Sequence, residues 1–360
     1  MKLQAIYAAL LAGGISVASI CHAQSSYQFV DLGNGTAAGI NDRGQIVGSS
    51  SLGATLWQSG ATVALSLGAD GYATAINNAG QIVGATVAHG VPEAALWFGN
   101  TLASLNGTGS GITYANCING SGQIGGGDGV ATLWNGKDPT DLGMSNGYSV
   151  AANGINNSGM IVGNATVYTD GATVATSWES RNGGATVLQG LGGNYSDAYA
   201  VNNSGIVVGT ANTAASGNTF MAMEWSGGKA TTLASLGGSK SYAFAINDAR
   251  EIVGSSTDAA GTPYATLWNG KSVVNLNSLL NPALAQEGWV LTVATGINSE
   301  GWIVGNAVNA KLGESDAFLL KTVDPVPEAG SPAMLAAGLC LIGAAAWLRR
   351  RAAASSAMPS

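Results

Sequence analysis

One nine-residue pattern, Ile-Asn-x-x-Gly-x-Ile-Val-Gly, recurs along almost the whole 360-residue chain and limits the folds open to it. Four copies match it in full, over 40–48, 76–84, 155–163 and 297–305, and three further copies carry substitutions. The seven aligned asparagines are Asn41, Asn77, Asn119, Asn156, Asn202, Asn247 and Asn298, with spacings of 36 to 51 residues. Such a period is typical of proteins built from repeated supersecondary units.

Each repeat is predicted to contain four short strands. In the sixth repeat they cover 242–246, 251–255, 264–268 and 271–276, and the third strand ends in a recurring Ala-x-Leu-Trp block. The last two strands are joined at Asn269-Gly270, a pair that suits a hairpin with positive φ at both residues. The repeated asparagine is expected to accept a hydrogen bond from the backbone two residues on, and the glycine after it to take positive φ.

The predicted architecture is all-β, a seven-bladed β-propeller of four-stranded blades over residues 24–324. Four strands every 40–45 residues match the period of a propeller blade, whereas the rungs of a β-helix, the alternative, are shorter. The 54 glycines are then largely turn residues, and the glycine that ends Ile-Val-Gly is expected to permit close packing of neighbouring blades. Residues 27–33 resemble a fourth strand, which the seventh repeat lacks, so the N-terminal strand is predicted to close the ring.

The N-terminus has the pattern of a secretory signal peptide over residues 1–23. Lys2 precedes an apolar run, and small residues end at Ala23, which predicts cleavage before Gln24. Lipidation at Cys21 and an uncleaved anchor are the alternatives. The chain is therefore expected to be exported.

The C-terminus combines three elements: Val326-Pro327-Glu328-Ala329, an apolar helix over about 333–348, and a basic stop formed by Arg349, Arg350 and Arg351. This order resembles the PEP-CTERM sorting signal of exosortase-containing Gram-negative bacteria, which here spans 325–351. Ala329 replaces the second proline of that motif, and a tail of residues 352–360 follows. The resemblance implies an exosortase-type partner, transient anchoring in the inner membrane, and final location at the cell surface or outside the cell. A plain C-terminal anchor is the alternative.

The repeats themselves resemble the HAF family of bacterial extracellular repeats. Asp316-Ala317-Phe318 is the nearest copy of the block that names the family, and the segments 275–280 and 288–292 also resemble it. The resemblance covers nearly all of residues 27–320. It implies an exported repeat protein and carries no assigned reaction.

Candidate catalytic and metal-binding residues are few. Cys117 is the sole cysteine outside the two terminal segments and is expected to be a small buried hydrophobe. His89 is the sole histidine of the mature chain, so a two-histidine metal site is impossible and a catalytic triad is disfavoured. Weak calcium binding by the asparagine turns is the alternative to simple turn capping. No metal, cofactor or catalytic residue is predicted.

Glu224 departs from the repeat, because leucine fills its position in four other copies, at Leu56, Leu96, Leu133 and Leu267. We expect its carboxylate to be locally exposed, since a buried carboxylate needs a partner. The alternative is a polar pocket with Glu179 of the preceding repeat, as a glycosidase would require.

Between residues 24 and 325 the chain has nine Lys/Arg and nineteen Asp/Glu, a net charge of −10. This acidity argues against a nucleic-acid partner. The longer segments 164–174, 210–219, 255–263 and 277–288 are rich in small polar residues and suit recognition of carbohydrate or a protein surface. The predicted function is a non-catalytic binding or matrix protein of the envelope, associated with exopolysaccharide or biofilm. A polysaccharide hydrolase or lyase and a passive structural spacer are the alternatives.

Overall fold

The structure is a computed structural model that describes residues 26–65, 70–99, 101–107, 112–143, 147–179, 184–214 and 216–323. The predicted signal peptide with its cleavage site, the sorting motif, the apolar helix and the arginine cluster lie outside these residues. Within them, no helix is both long enough and apolar enough to span a bilayer.

The described chain is all-β, as predicted, and its strands follow the sequence repeats in sets of four. Four sheets contain four strands each. They consist of β2 (Thr36–Ile40), β3 (Ile46–Ser50), β4 (Gly53–Gln58) and β5 (Ala61–Ala64); β6 (Asp70–Ile76), β7 (Gln81–Ala88), β8 (Val91–Phe98) and β9 (Thr101–Ser104); β10 (Tyr114–Ile118), β11 (Ile124–Gly127), β12 (Ala131–Asn135) and β13 (Asp138–Asp141); and β1 (Ser26–Asn34), β28 (Glu314–Val323), β27 (Ile303–Asn309) and β26 (Trp289–Ile297).

Repeats four to six form one larger sheet, in which three sets of four strands are joined by two short parallel contacts. Its strands are β14 (Gly147–Ile155), β15 (Met160–Val167), β16 (Thr173–Glu179), β17 (Ala185–Val187), β18 (Gly192–Val201), β19 (Val207–Thr213), β20 (Ser216–Ser226), β21 (Lys229–Thr232), β22 (Gly237–Ile246), β23 (Glu251–Asp258), β24 (Pro263–Asn269) and β25 (Ser272–Asn275). The parallel contacts pair Thr173 with Tyr195 and Phe220 with Lys240. The predicted segment 277–288 instead forms a 3₁₀ helix (Leu276–Leu279) and α1 (Pro282–Glu287).

Buried tryptophans at the ends of the third strands hold neighbouring repeats together. Trp97, for example, is 2% exposed and packs in one cluster with Val47 and Leu56 of the preceding repeat. The indole N–H of Trp134 donates to the carbonyl of Asn106, and that of Trp178 to the carbonyl of Gly143, each two residues after the fourth strand of the preceding repeat. Burial is greatest in the middle strands of each set: β11 and β12 are buried along nearly their whole length, whereas the fourth strand, β13, is mostly exposed.

Two local predictions need correction. The glycine that ends Ile-Val-Gly is required inside its own sheet: a Cβ on Gly163 would collide with the carbonyl of Ala151 on the neighbouring strand. The hairpin at Asn269-Gly270 is shifted by one residue, since Asn269 pairs with Ser272 and the loop is Gly270-Lys271. Only Gly270 has positive φ, at 60°, which matches a hairpin with glycine at the first loop position.

Candidate functional site

The seven repeated asparagines meet around one cavity of about 240 Å³. Each side-chain N–H₂ donates to the backbone carbonyl of the next asparagine; Asn41 donates to Asn77 at 3.0 Å, and Asn298 donates back to Asn41 at 3.2 Å. The same pattern links the intervening asparagines. All seven are buried, with 3–6% exposure.

The side-chain oxygens of these asparagines cap their own turns. Asn156 accepts from the backbone N–H of Ser158 at 3.1 Å and of Met160 at 2.9 Å. The predicted Asx-turn is therefore confirmed, and these oxygens are occupied by N–H donors. The glycine of the turn has positive φ in six repeats, and Arg250, with φ of 65°, replaces it in the sixth. The asparagine ring is thus a structural element.

A second cavity of about 280 Å³ is lined by the first strand of each of the seven repeats. Every one of these strands contains a register shift, a β-bulge, at the same repeat position. The bulge residues are Ala38, Thr74, Asn116, Asn153, Tyr199, Phe244 and Thr295. A bulge redirects a side chain out of the regular pleat. These residues all line the cavity, which we call the bulge cavity.

The polar bulge residues are held by hydrogen bonds to the following repeat. Thr74 Oγ1 donates to the carbonyl of Ala115 at 2.7 Å, and Asn116 Nδ2 donates to that of Ala152 at 3.1 Å. Asn153 Nδ2 donates both to the carbonyl of Ala198 at 3.1 Å and to Asp197 Oδ1 at 3.0 Å. The amides are therefore fixed in position, which favours recognition of a ligand without further ordering.

Five aromatic rings form a continuous row that begins in the bulge cavity. Tyr199 contacts Phe244 with ring centroids 5.2 Å apart, and Phe244 stacks on Tyr242 at 5.9 Å with an interplanar angle of 5°. Phe220 follows at 5.9 Å from Tyr242, and Tyr195 ends the row at 5.8 Å from Phe220. All five residues are half-buried. This aromatic row offers apolar faces with phenol hydroxyls at intervals.

Asp197 lies beside the aromatic row and is 5% exposed. Its carboxylate accepts from Asn153 and from the hydroxyl of Tyr195 at 3.3 Å. Burial raises the pKa of Asp197 to about 6. Burial and the nearby Asp197 charge likewise raise the pKa of Tyr195 to about 12. Among the described residues the sole ion pair joins Arg250 to Glu224, so the negative charge of Asp197 is met by neutral donors.

The longer hairpins flank the aromatic row. Segments 164–174, 210–219 and 255–263 connect the second and third strands of repeats four to six, and Phe220 of the row directly follows one of them. The parallel contact between Phe220 and Lys240 joins that hairpin to the next repeat. Three of the four predicted recognition segments therefore lie on repeats four to six, and the aromatic row lies on repeats five and six.

The prediction that Glu224 is locally exposed is wrong. Glu224 is 7% exposed, and its carboxylate binds the guanidinium of Arg250, with Nε to Oε2 at 3.1 Å and a second bond from Nη2 to Oε1. Arg250 stands where the other repeats have glycine, so two departures from the repeat compensate each other. Glu179 is exposed and is not among the residues lining the cavity at Glu224.

The remaining predicted residues show no catalytic arrangement. Cys117 is buried as predicted, and burial raises the pKa of its thiol to about 12, so it is a poor nucleophile. His89 is exposed in the β7–β8 turn with φ of 53°. The part of the chain that the structure describes contains no group of three or more His, Cys, Asp or Glu side chains able to hold a metal ion.

No protein-family model matches this chain, and no curated protein does so. Among solved structures, the crystal structure of TolB from Acinetobacter baumannii matches with 9% sequence identity and a TM-score of 0.37. The match covers 70% of this chain and 53% of that chain, so this chain spans about half the length of that protein.

Proposed function

We propose that the protein is an exported, non-catalytic β-propeller that binds a glycan at the bulge cavity as part of an exopolysaccharide or biofilm matrix. The observation that carries the proposal is the junction of the aromatic row with the fixed amides of Asn116 and Asn153. Aromatic rings cover the apolar face of a sugar, while the amide oxygens and the phenol hydroxyls bind its hydroxyl groups, the usual composition of a small-ligand site; the amide N–H groups of Asn116 and Asn153 are already bonded within the protein.

A seven-bladed ring closed by the N-terminal strand is the architecture proposed for this protein. It is supported by the hydrogen bonds that pass through all seven asparagines and return to Asn41. It is also supported by the position of β1 next to β28 and by the Thr295 Oγ1 bond of 2.8 Å to the carbonyl of Ala37. In this architecture the bulge cavity is one mouth of the central channel.

The cellular location of the protein is proposed from the sequence. The signal peptide directs export, and the segment 325–351 anchors the chain transiently in the inner membrane for an exosortase-type enzyme. The mature protein then resides at the cell surface or outside the cell, where envelope polysaccharide is the abundant ligand.

The site favours a neutral sugar over an acidic one. Asp197 adds buried negative charge close to the cavity wall, and a uronate there would be repelled. A cavity of about 280 Å³ is small for a ligand site, so it suits one sugar unit or the end of a chain.

Calorimetric titration tests this function. The purified protein is titrated with oligosaccharides prepared from the envelope polysaccharide of the bacterium that makes it. Phe244→Ala removes a central ring of the aromatic row and is expected to weaken binding at least tenfold. Phe98→Ala is the matched control, because Phe98 is 55% exposed on β8 and is not part of the bulge cavity.

Three results would contradict the proposal. Equal loss of binding in both phenylalanine variants would place the ligand elsewhere. Absence of any binding would favour the passive structural spacer, and release of new reducing or unsaturated ends during the titration would favour the hydrolase or lyase.

A further inference from the structure

A cleft of about 770 Å³ opens between the fifth and sixth repeats, at the end of the strands that carries the asparagine turns. Glu224, Arg250 and Lys271 line it together with hydroxyl-bearing residues of β21 and the segment that follows. We call it the Arg250 cleft. None of its lining residues lines the bulge cavity.

Comparison with the corresponding cleft between the seventh and first repeats shows that the Arg250 cleft differs in its size and in its charged side chains. It measures about 310 Å³, and Gly44 occupies the position that Arg250 has in the sixth repeat. The added side chains at the Arg250 cleft therefore accompany a larger opening. Packing of the repeat does not require an arginine, because glycine serves in the other six copies.

Arg250 adopts its position against a backbone preference. Its φ of 65° lies in the left-handed region, which costs a non-glycine residue on the order of 1 kcal/mol. Such strain persists where the surroundings fix the residue, and it tends to occur at functional sites. Here the fixing group is the buried carboxylate of Glu224, which binds Nε and Nη2.

That two-bond contact uses one edge of the guanidinium. The side chain of Arg250 remains 53% exposed, its other edge, with Nη1, lies outside the contact with Glu224, and the exposed Lys271 lines the same cleft. The three charged side chains sum to +1 in a protein that is otherwise acidic. A planar fork fixed in this way is suited to two parallel hydrogen bonds with an oxyanion.

We propose that the Arg250 cleft binds an oxyanion carried on a sugar chain, either the carboxylate of a uronic acid or a sulfate ester. Arg250 and Lys271 contact the anion, and the hydroxyls of Thr231, Thr232 and Ser235 face the sugar body. Glu224 is a positioning residue, because it acts through Arg250. This site is separate from the glycan site at the bulge cavity.

The test titrates the purified protein with three probes: trigalacturonic acid, a sulfated galactotriose and unmodified galactotriose. An anionic probe is expected to bind at least tenfold more tightly than the neutral one, with affinity that falls as salt rises. The double variant E224L/R250G restores the residues of the other repeats and is expected to lose this preference. R250K keeps the charge without the fork and is expected to bind at least fivefold more weakly.

Comparison of the two anionic probes shows whether the site prefers a carboxylate or a sulfate ester. Binding of only one of the two probes supports the site and identifies its ligand. Equal binding of all three probes by the parent protein would overturn the proposal. Unchanged anion binding by E224L/R250G, with a native circular dichroism spectrum, would overturn it as well. Binding of neutral envelope oligosaccharide by E224L/R250G is expected to be unchanged, so failure here is distinguishable from failure of the bulge-cavity site.

Discussion

The ion pair between Glu224 and Arg250 predicts an uneven double-mutant cycle of stability. Arg250→Gly relieves backbone strain of about 1 kcal/mol but leaves a buried carboxylate without its cation, which costs about 3–5 kcal/mol. The single variant is therefore expected to lose roughly 2–4 kcal/mol. Glu224→Leu leaves a half-exposed arginine that water can solvate, so its stability is expected to change by less than about 1 kcal/mol.

The double variant E224L/R250G is expected to match or exceed the parent in stability. Burying a leucine side chain contributes about 1.5–3 kcal/mol, and the strain at residue 250 is also removed. Replacement of a buried ion pair by packed apolar groups is often neutral or stabilising by about 1–4 kcal/mol. The cycle should thus show a coupling of at least about 1 kcal/mol.

Equilibrium urea denaturation of the four proteins, followed by tryptophan fluorescence, measures this coupling. The indoles at the repeat interfaces report directly on separation of the sheets. The reasoning is refuted if R250G is as stable as E224L/R250G, because Glu224 would then not depend on Arg250 for its burial.

Three further predictions concern the first and second strands of the repeats and the asparagine turns. Burial raises the pKa of Asp197 to about 6, so the folded state binds the proton more tightly; its contribution to stability is present below about pH 4 and is lost as pH rises through 6. Asp197→Asn should remove this pH dependence of stability and raise the free energy of unfolding at pH 7.5 by up to about 3 kcal/mol. Urea denaturation at a series of pH values measures the effect, and a variant with the pH profile of the parent would contradict the prediction. Asn156→Ala removes the side chain that caps a buried turn, so the free energy of unfolding should fall by about 2–4 kcal/mol. The exposed Asn157→Ala is the control and should lower it by less than about 1 kcal/mol, and similar melting curves for the two variants would contradict the prediction. Gly163→Ala should lower the melting temperature markedly, because the added Cβ collides with the backbone of the neighbouring strand. Gly184→Ala is the control, since its Cβ would meet open space, and equal melting temperatures for the two variants would contradict the prediction.

The repeat could be predicted from the sequence because its turns are fixed by local chemistry. Asn156 caps a turn only two to four residues long, and that relation is visible in the pattern itself. The burial of Trp97 and its equivalents likewise follows from their recurrence in apolar strands. These features need no knowledge of the neighbouring repeat.

The bulge cavity could not be predicted, because a β-bulge depends on pairing between strands. Tyr199 and Phe244 read as ordinary members of an apolar strand, yet the extra residue in each strand turns them to the cavity wall. A signal was present: three positions before each repeated asparagine the residue type varies while its neighbours recur. The ion pair between Glu224 and Arg250 could not be predicted either, since the two residues lie 26 positions apart in different repeats.

The pairing of β1 with β28 has a consequence for the order of folding. Asn34 and Ser315 are bonded across 281 residues of sequence, so the first strand of the described chain pairs only once the last strand is available. Until these two strands meet, the edge of β26–β28 and the strand β1 both have unpaired backbone groups, and either is able to pair with another chain. Contacts of such sequence separation form slowly. The chain therefore carries two unpaired strand edges, open to pairing with other chains, for as long as its first and last strands are apart.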